Sequence, residues 1–180
     1  MDRKNFIKVS SLSLAGLLVT DFAIGGNRKG PVLQLPDTIE ILAGDAYFPL
    51  LSSDLSTWKY KDVIVECKTV NGSIRVYVQS PTFSLQEIKI SWKYATTNSS
   101  IILGDAWERT YGNISWQKIS DTKNLPWYCI AHDDKGTICF GVKTGCNTIC
   151  SWQITAEAIQ LTLDARSGGN GVHLQNRNLH

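Results

Sequence analysis

The chain has 180 residues, 43% of them hydrophobic and 19% charged, which supplies one buried core without metal or disulfide staples and excludes a disordered chain. Its 18 basic and 16 acidic residues nearly cancel. No Lys/Arg run is long enough to neutralise a stripe of phosphates, so nucleic acid is not an expected partner.

The first 25 residues differ from the rest. Arg3, Lys4 and Lys8 precede an apolar stretch from Leu12 to Thr20, and small residues follow at Ala23 and Gly25, the layout of an export signal over residues 1–25. The run Arg3-Lys4-Asn5-Phe6-Ile7-Lys8 resembles a twin-arginine signal with Lys4 in place of the second arginine. The twin-arginine and general secretory routes therefore both stay open. The apolar stretch is too short to span a bilayer, and no Cys near the cleavage region would take a lipid, so no stable membrane anchor is expected. The expected destination is the periplasm or the extracellular space; the alternative is an N-terminal helix packed on the domain.

Residues 26–31, Gly-Asn-Arg-Lys-Gly-Pro, read as a polar linker, and residues 32–180 as one domain. A first strand is predicted at Val32 to Leu35 and a second at Ile39 to Leu42. Val63, Val65 and Cys67 alternate with Ile64 and Glu66, then Asn71-Gly72 precedes Ile74, Val76 and Val78. Asn-Gly supplies positive φ at both centres of a type I′ turn, which predicts a hairpin. Ile88, Ile90, Trp92 and Tyr94 alternate with Glu87, Lys89, Ser91 and Lys93, a strand with one wet face. Further short strands are predicted at Ile101 to Leu103, Ile114 to Ile119, Trp127 to His132, Thr137 to Val142, Thr148 to Ile154 and Ile159 to Asp164. Many short strands without helical periodicity predict an all-β antiparallel sandwich.

The richest local chemistry is Gly104-Asp105-Ala106-Trp107-Glu108-Arg109, followed by Tyr111-Gly112 and Trp116. Aromatic faces stack on sugar C–H surfaces while carboxylate and guanidinium groups bond hydroxyls, so the mixture suits a glycan. The alternative is that Trp107 and Trp116 are packing residues and that Asp105, Glu108 and Arg109 form an ion-pair network. Asp105 and Glu108 are not expected to be a catalytic pair. Retaining glycosidases hold two carboxyl groups about 5 Å apart, and such pairs sit on separate rigid elements.

Five cysteines, at 67, 129, 139, 146 and 150, cannot all pair within one chain. A tight turn at Asp133-Asp134-Lys135 would set Cys129 opposite Cys139 and make them a candidate cross-strand disulfide; otherwise each is a small buried hydrophobe. The spacing of Cys146 and Cys150 fits neither a zinc ribbon nor a redox motif, and no metal site is expected. His132, His173 and His180 lie far apart. With no Gly-x-Ser-x-Gly elbow, Walker loop or dinucleotide fingerprint, no cofactor is expected.

Taken together, Leu103-Gly104-Asp105-Ala106-Trp107-Glu108-Arg109-Thr110-Tyr111-Gly112, Leu125-Pro126-Trp127-Tyr128, Gly141-Val142-Lys143-Thr144-Gly145, Ser151-Trp152-Gln153 and Leu163-Asp164-Ala165-Arg166-Ser167-Gly168-Gly169 resemble, in order and spacing, the N-terminal domain of melibiase-type α-galactosidases, glycoside hydrolase family thirty-six. The resemblance runs from about residue 33 to the end. It implies a galactose-mutarotase-like β-supersandwich packed on a (β/α)₈ barrel whose two aspartates do the chemistry. Neither aspartate motif is present in these 180 residues, so the expected role is non-catalytic support of carbohydrate hydrolysis. On that resemblance, Asp105, Trp107, Glu108 and Arg109 would face the barrel or a galactoside. The alternative function is a free-standing periplasmic carbohydrate-binding module, with Trp107, Trp116 or Trp127 as its stacking platform.

Overall fold

The computed structural model describes residues 17–24, 33–94, 99–105, 114–121, 124–142, 148–166 and 168–174. The described residues form β1 (Leu17–Ile24), β2 (Thr38–Ala43), β3 (Ala46–Pro49), β4 (Thr57–Tyr60), β5 (Val63–Val70), β6 (Ser73–Leu85), β7 (Glu87–Lys93), β8 (Ile101–Gly104), β9 (Gln117–Lys118), β10 (Leu125–Pro126), β11 (Tyr128–Asp133), β12 (Gly136–Val142), β13 (Ile149–Ile154), β14 (Ala158–Asp164) and β15 (Val172–Leu174). The larger sheet runs β4-β5-β6-β1-β12-β11-β8-β9, with β15 added on the far half of β6; the smaller runs β10-β13-β14-β7-β2-β3. Every strand pairing between them is antiparallel. Helix is confined, among the described residues, to a 3₁₀ turn at Ile119–Asp121, and no helix there is long and apolar enough to cross a membrane.

The fold class is therefore the expected all-β antiparallel one, and its strongest local signals hold. Asn71 and Gly72 both take positive φ, 51° and 75°, and join β5 to β6. In β7, Ile88, Ile90 and Trp92 are buried while the residues between them are not, because a period of two gives a strand one inner face. The strand expected at Val32 to Leu35 does not form over residues 33–35. Pro36 restricts the backbone before it, and the segment instead packs irregularly: Leu33 is buried and the Gln34 carbonyl accepts the Trp92 indole N–H at 2.8 Å.

The core lies between the sheets. Phe140 of the larger sheet and Trp92 of the smaller flank Trp152, with ring centroids 5.9 Å and 6.2 Å from it, and Trp152 is 0% exposed. Its N–H donates to the Trp127 carbonyl at 3.2 Å, so the polar edge of a fully buried indole is satisfied. At two places a single residue carries the chain between layers. Gln86, between β6 and β7, donates its N–H to Leu42 and accepts from Ala165. Trp127 separates β10 of the smaller sheet from β11 of the larger.

Trp152→Ala removes the side chain that both layers share. The expected loss is about 3–5 kcal/mol, read as a lower urea midpoint with an unchanged slope; a loss below about 1 kcal/mol would show that the layers do not depend on it.

Candidate functional site

The segments that carry the chemistry meet at one end of the sandwich. Gly104, ending β8, lies opposite Cys129, and Tyr128 lies opposite Gly141. Across the crossover, Leu125 and Pro126 pair with Trp152 and Ser151. Trp127 binds three ways. Its N–H donates to Cys150 at 3.2 Å, and its carbonyl accepts from the Val142 N–H at 3.1 Å as well as from the Trp152 indole. These bonds hold Trp127 at φ 65°, a left-handed conformation that costs a bulky residue on the order of 1–3 kcal/mol unless the surroundings enforce it. Both lone pairs of one carbonyl thereby fix β12 and β13 to the crossover.

Close packing makes the same end rigid. A Cβ at Gly104 would lie 2.8 Å from both Leu125 Cδ atoms, so glycine is what allows β8 to pass under the crossover. Asp105 follows at once and is buried, 9% exposed. Trp107, Glu108 and Arg109 lie outside the described residues, as do Lys143, Thr144 and Gly145. Of the expected substrate-facing or barrel-facing set, Asp105 alone is thus placed, at the rim.

Trp116 has a different environment. Just before the edge strand β9, it is 47% exposed, and its ring meets His132 edge-on at 6.1 Å across β8. His132 Nδ1 is held by Thr137 Oγ1 at 2.8 Å, which fixes the imidazole beneath the indole. Trp58, Trp92 and Trp152 are buried, so Trp116 is the most open of the described tryptophans.

A second cluster occupies the same end of the smaller sheet, and sequence reasoning missed it. The register aligns Ile149, Asp164, Glu87, Leu42 and Tyr47 in one row across five strands. Tyr47 Oη donates to Glu87 Oε2 at 2.7 Å, Arg166 bridges Glu87 at 3.0 Å and also bonds Asp164, and Lys89 Nζ sits 3.8 Å from the Tyr47 ring centroid. Burial, then the hydrogen bond and charge of Glu87, push the Tyr47 phenol up to about 12, while the Arg166 hydrogen bond holds the Asp164 carboxyl below its usual range. Asp164 and Arg166 were visible in sequence only as part of a terminal motif; Tyr47 and Glu87 join them through register, which no local pattern encodes.

The cysteine expectation is corrected. The turn after β11 contains two residues, Asp134 and Lys135, and is closed by the Lys135 N–H on Asp133 Oδ1 at 2.9 Å, so Asp133 pairs with Gly136. Cys139 therefore lies opposite Ile130 and Cys129 opposite Phe140. A shift of one residue sends the two side chains to opposite faces; Cys129 is buried, Cys139 half-buried, and both are free thiols. Burial raises the pKa of both, and that of Cys67 to about 12, which suppresses the reactive thiolate. Among the described residues no group of His, Cys, Asp and Glu side chains could hold a metal ion.

Two measurements check this geometry. Gly104→Ala should cost about 1–3 kcal/mol by overpacking, and Leu125→Ala should cost less in that background than alone; strictly additive losses would show that the two sites do not touch. In an ultraviolet phenolate titration, the component lost in Tyr47→Phe should ionise near 12 and return toward 10.0 in Glu87→Gln. The neutral phenol is the form favoured by folding, so this contribution to stability is complete below the ordinary value and is lost as the pH rises through about 12. An ordinary titration for Tyr47 would remove the Glu87 bond from the account.

No protein-family model matches the chain, and no curated protein or solved structure matches it.

Proposed function

We propose that this chain is the non-catalytic β-sandwich of an exported α-galactosidase-like glycoside hydrolase, and that the end built around Trp127 faces a (β/α)₈ catalytic barrel and its galactoside substrate. The observation that carries the reading is convergence. The described parts of four motifs behind the family resemblance, Gly104-Asp105, Leu125 to Tyr128, Gly141-Val142 and Ser151-Trp152, are far apart in sequence and lie against one another at one rim. The fifth, Asp164-Ala165-Arg166, ends β14 at the same end. Packing alone accounts for Leu125 and Trp152, which are buried. Trp127, where the two sheets exchange the chain, is held in a strained conformation by its bonds to Cys150, Val142 and Trp152, and strain of this kind collects at functional sites.

In this role the sandwich positions rather than reacts. The barrel supplies the carboxylates, and the rim supplies a rigid starting point for the residues that follow Asp105. A second reading, a free-standing carbohydrate-binding module, draws support from one observation, the open indole of Trp116 braced by His132.

The experiment separates the two. The coding sequence is followed beyond codon 180, and the isolated chain is titrated with galactose and melibiose by tryptophan fluorescence. A frame continuing into a barrel with two aspartates, together with no saturable response from the isolated chain, is the expected result. In that intact enzyme Trp107→Ala should lower kcat/KM for an α-galactoside about tenfold or more, the scale of a lost positioning contact. A saturable response abolished by Trp116→Ala, with no barrel downstream, replaces the proposal with the module.

A further inference from the structure

The larger sheet is continuous only because of β1. Strands β6 and β12 do not pair with each other; Leu17 to Thr20 pair with Val76 to Ser73 on one side, and Val19 to Ile24 with Val142 to Thr137 on the other. Take β1 away and the sheet falls into two parts, β4-β5-β6 and β12-β11-β8-β9, with open edges facing across a gap one strand wide. The walls of that gap are well built without β1. The β6 side belongs to the β5–β6 hairpin and the β12 side to the β11–β12 hairpin, both local in sequence, and Ile74, Val76, Ile138 and Phe140 are anchored in the core. β1 has no hairpin link to either wall. The next element after it, β2, belongs to the other sheet, so both of its pairings are long-range and carry the full entropy of loop closure.

We propose that the gap between β6 and β12 is a strand-binding slot, and that Leu17–Ile24 is its removable occupant. The chemistry of recognition is that of an added strand: main-chain N–H and C=O groups on both edges give the affinity. The occupant overlaps the apolar part of the expected export leader at Leu17 to Thr20, so those residues would have a second use in the strand that closes the sheet. The slot does not depend on the glycosidase reading.

The test uses the whole chain with a protease recognition sequence in place of residues 26–31. After the folded protein is cut there, the N-terminal peptide should co-elute with the body and should exchange for an added, labelled peptide of residues 16–25. Val19 and Thr20 are flanked on both sides, so a proline at position 20 removes a ladder donor whichever way its N–H points. A labelled peptide carrying Thr20→Pro should therefore fail to enter. Loss of the peptide on cutting overturns the proposal, as does equal entry of the proline peptide; retention without exchange overturns it too, because β1 would then be a permanent part of the fold.

Should the cut protein aggregate, hydrogen exchange on the uncut chain decides instead. Amides of Val19 to Ile24 should be on the order of tenfold or more less protected than those of Cys129 to His132, as expected of a locally opening strand; equal protection overturns the slot. Export is read separately from the N-terminus of the secreted protein, so failure of the leader reading and failure of the slot give different results.

Discussion

The structure turns on one buried indole. Trp152 belongs to the smaller sheet, stacks on Trp92 of its own layer and packs on Phe140 of the other, so it sets the spacing of the layers where the aromatic core is thickest. A fully buried indole N–H must find an acceptor, since an unpaired one costs about 1–3 kcal/mol. The acceptor here is the carbonyl of Trp127, and it can be reached only because the chain leaves the smaller sheet at Pro126 and enters the larger at Tyr128. The need to satisfy one polar atom in an apolar core thereby fixes one of the places where the chain changes layers.

The geometry of the rim follows from that crossover. To point its carbonyl at both Trp152 and Val142, Trp127 takes a left-handed conformation, which a residue with a large side chain adopts only when several bonds enforce it. Leu125 is then forced down over β8, and only a residue without a Cβ fits beneath it, which is the physical reason for Gly104. Asp105 leaves the sheet at that point. The chain therefore leaves β8 from a position determined by packing against β10 and β11.

Sequence patterning captured the parts of this fold in which one strand carries its own signal. Alternation marked β7, and Asn71-Gly72 marked the β5–β6 turn, because a period of two and a positive φ are local properties. Short strands such as β3, β4 and β10 escaped, since two to four residues are too few to establish a period and their pairing is imposed by neighbours. The disulfide expectation failed by a single residue: Asp133 joined the ladder instead of the turn, and one residue of register is a change of face. At the site, residue types pointed to Gly104, Asp105 and Trp127, but neither the strain at Trp127 nor the joining of Tyr47 and Glu87 to Arg166 was visible, because each arises from strands brought together from distant parts of the chain.

The order in which the chain is made bears on when β1 can join the sheet. β1 emerges first, its β6 partner some fifty residues later, and its β12 partner more than a hundred residues after it. Until β12 exists, β1 can pair only as an edge strand on β6, with its other side open. One edge of the strand therefore stays unpaired through most of synthesis. Only when the β11–β12 hairpin forms does the second edge arrive, and the strand then gains a partner on both sides at once. A local hairpin would have buried β1 early and removed it from any other use; long-range pairing on both sides delays that commitment until the rest of the sandwich has been assembled.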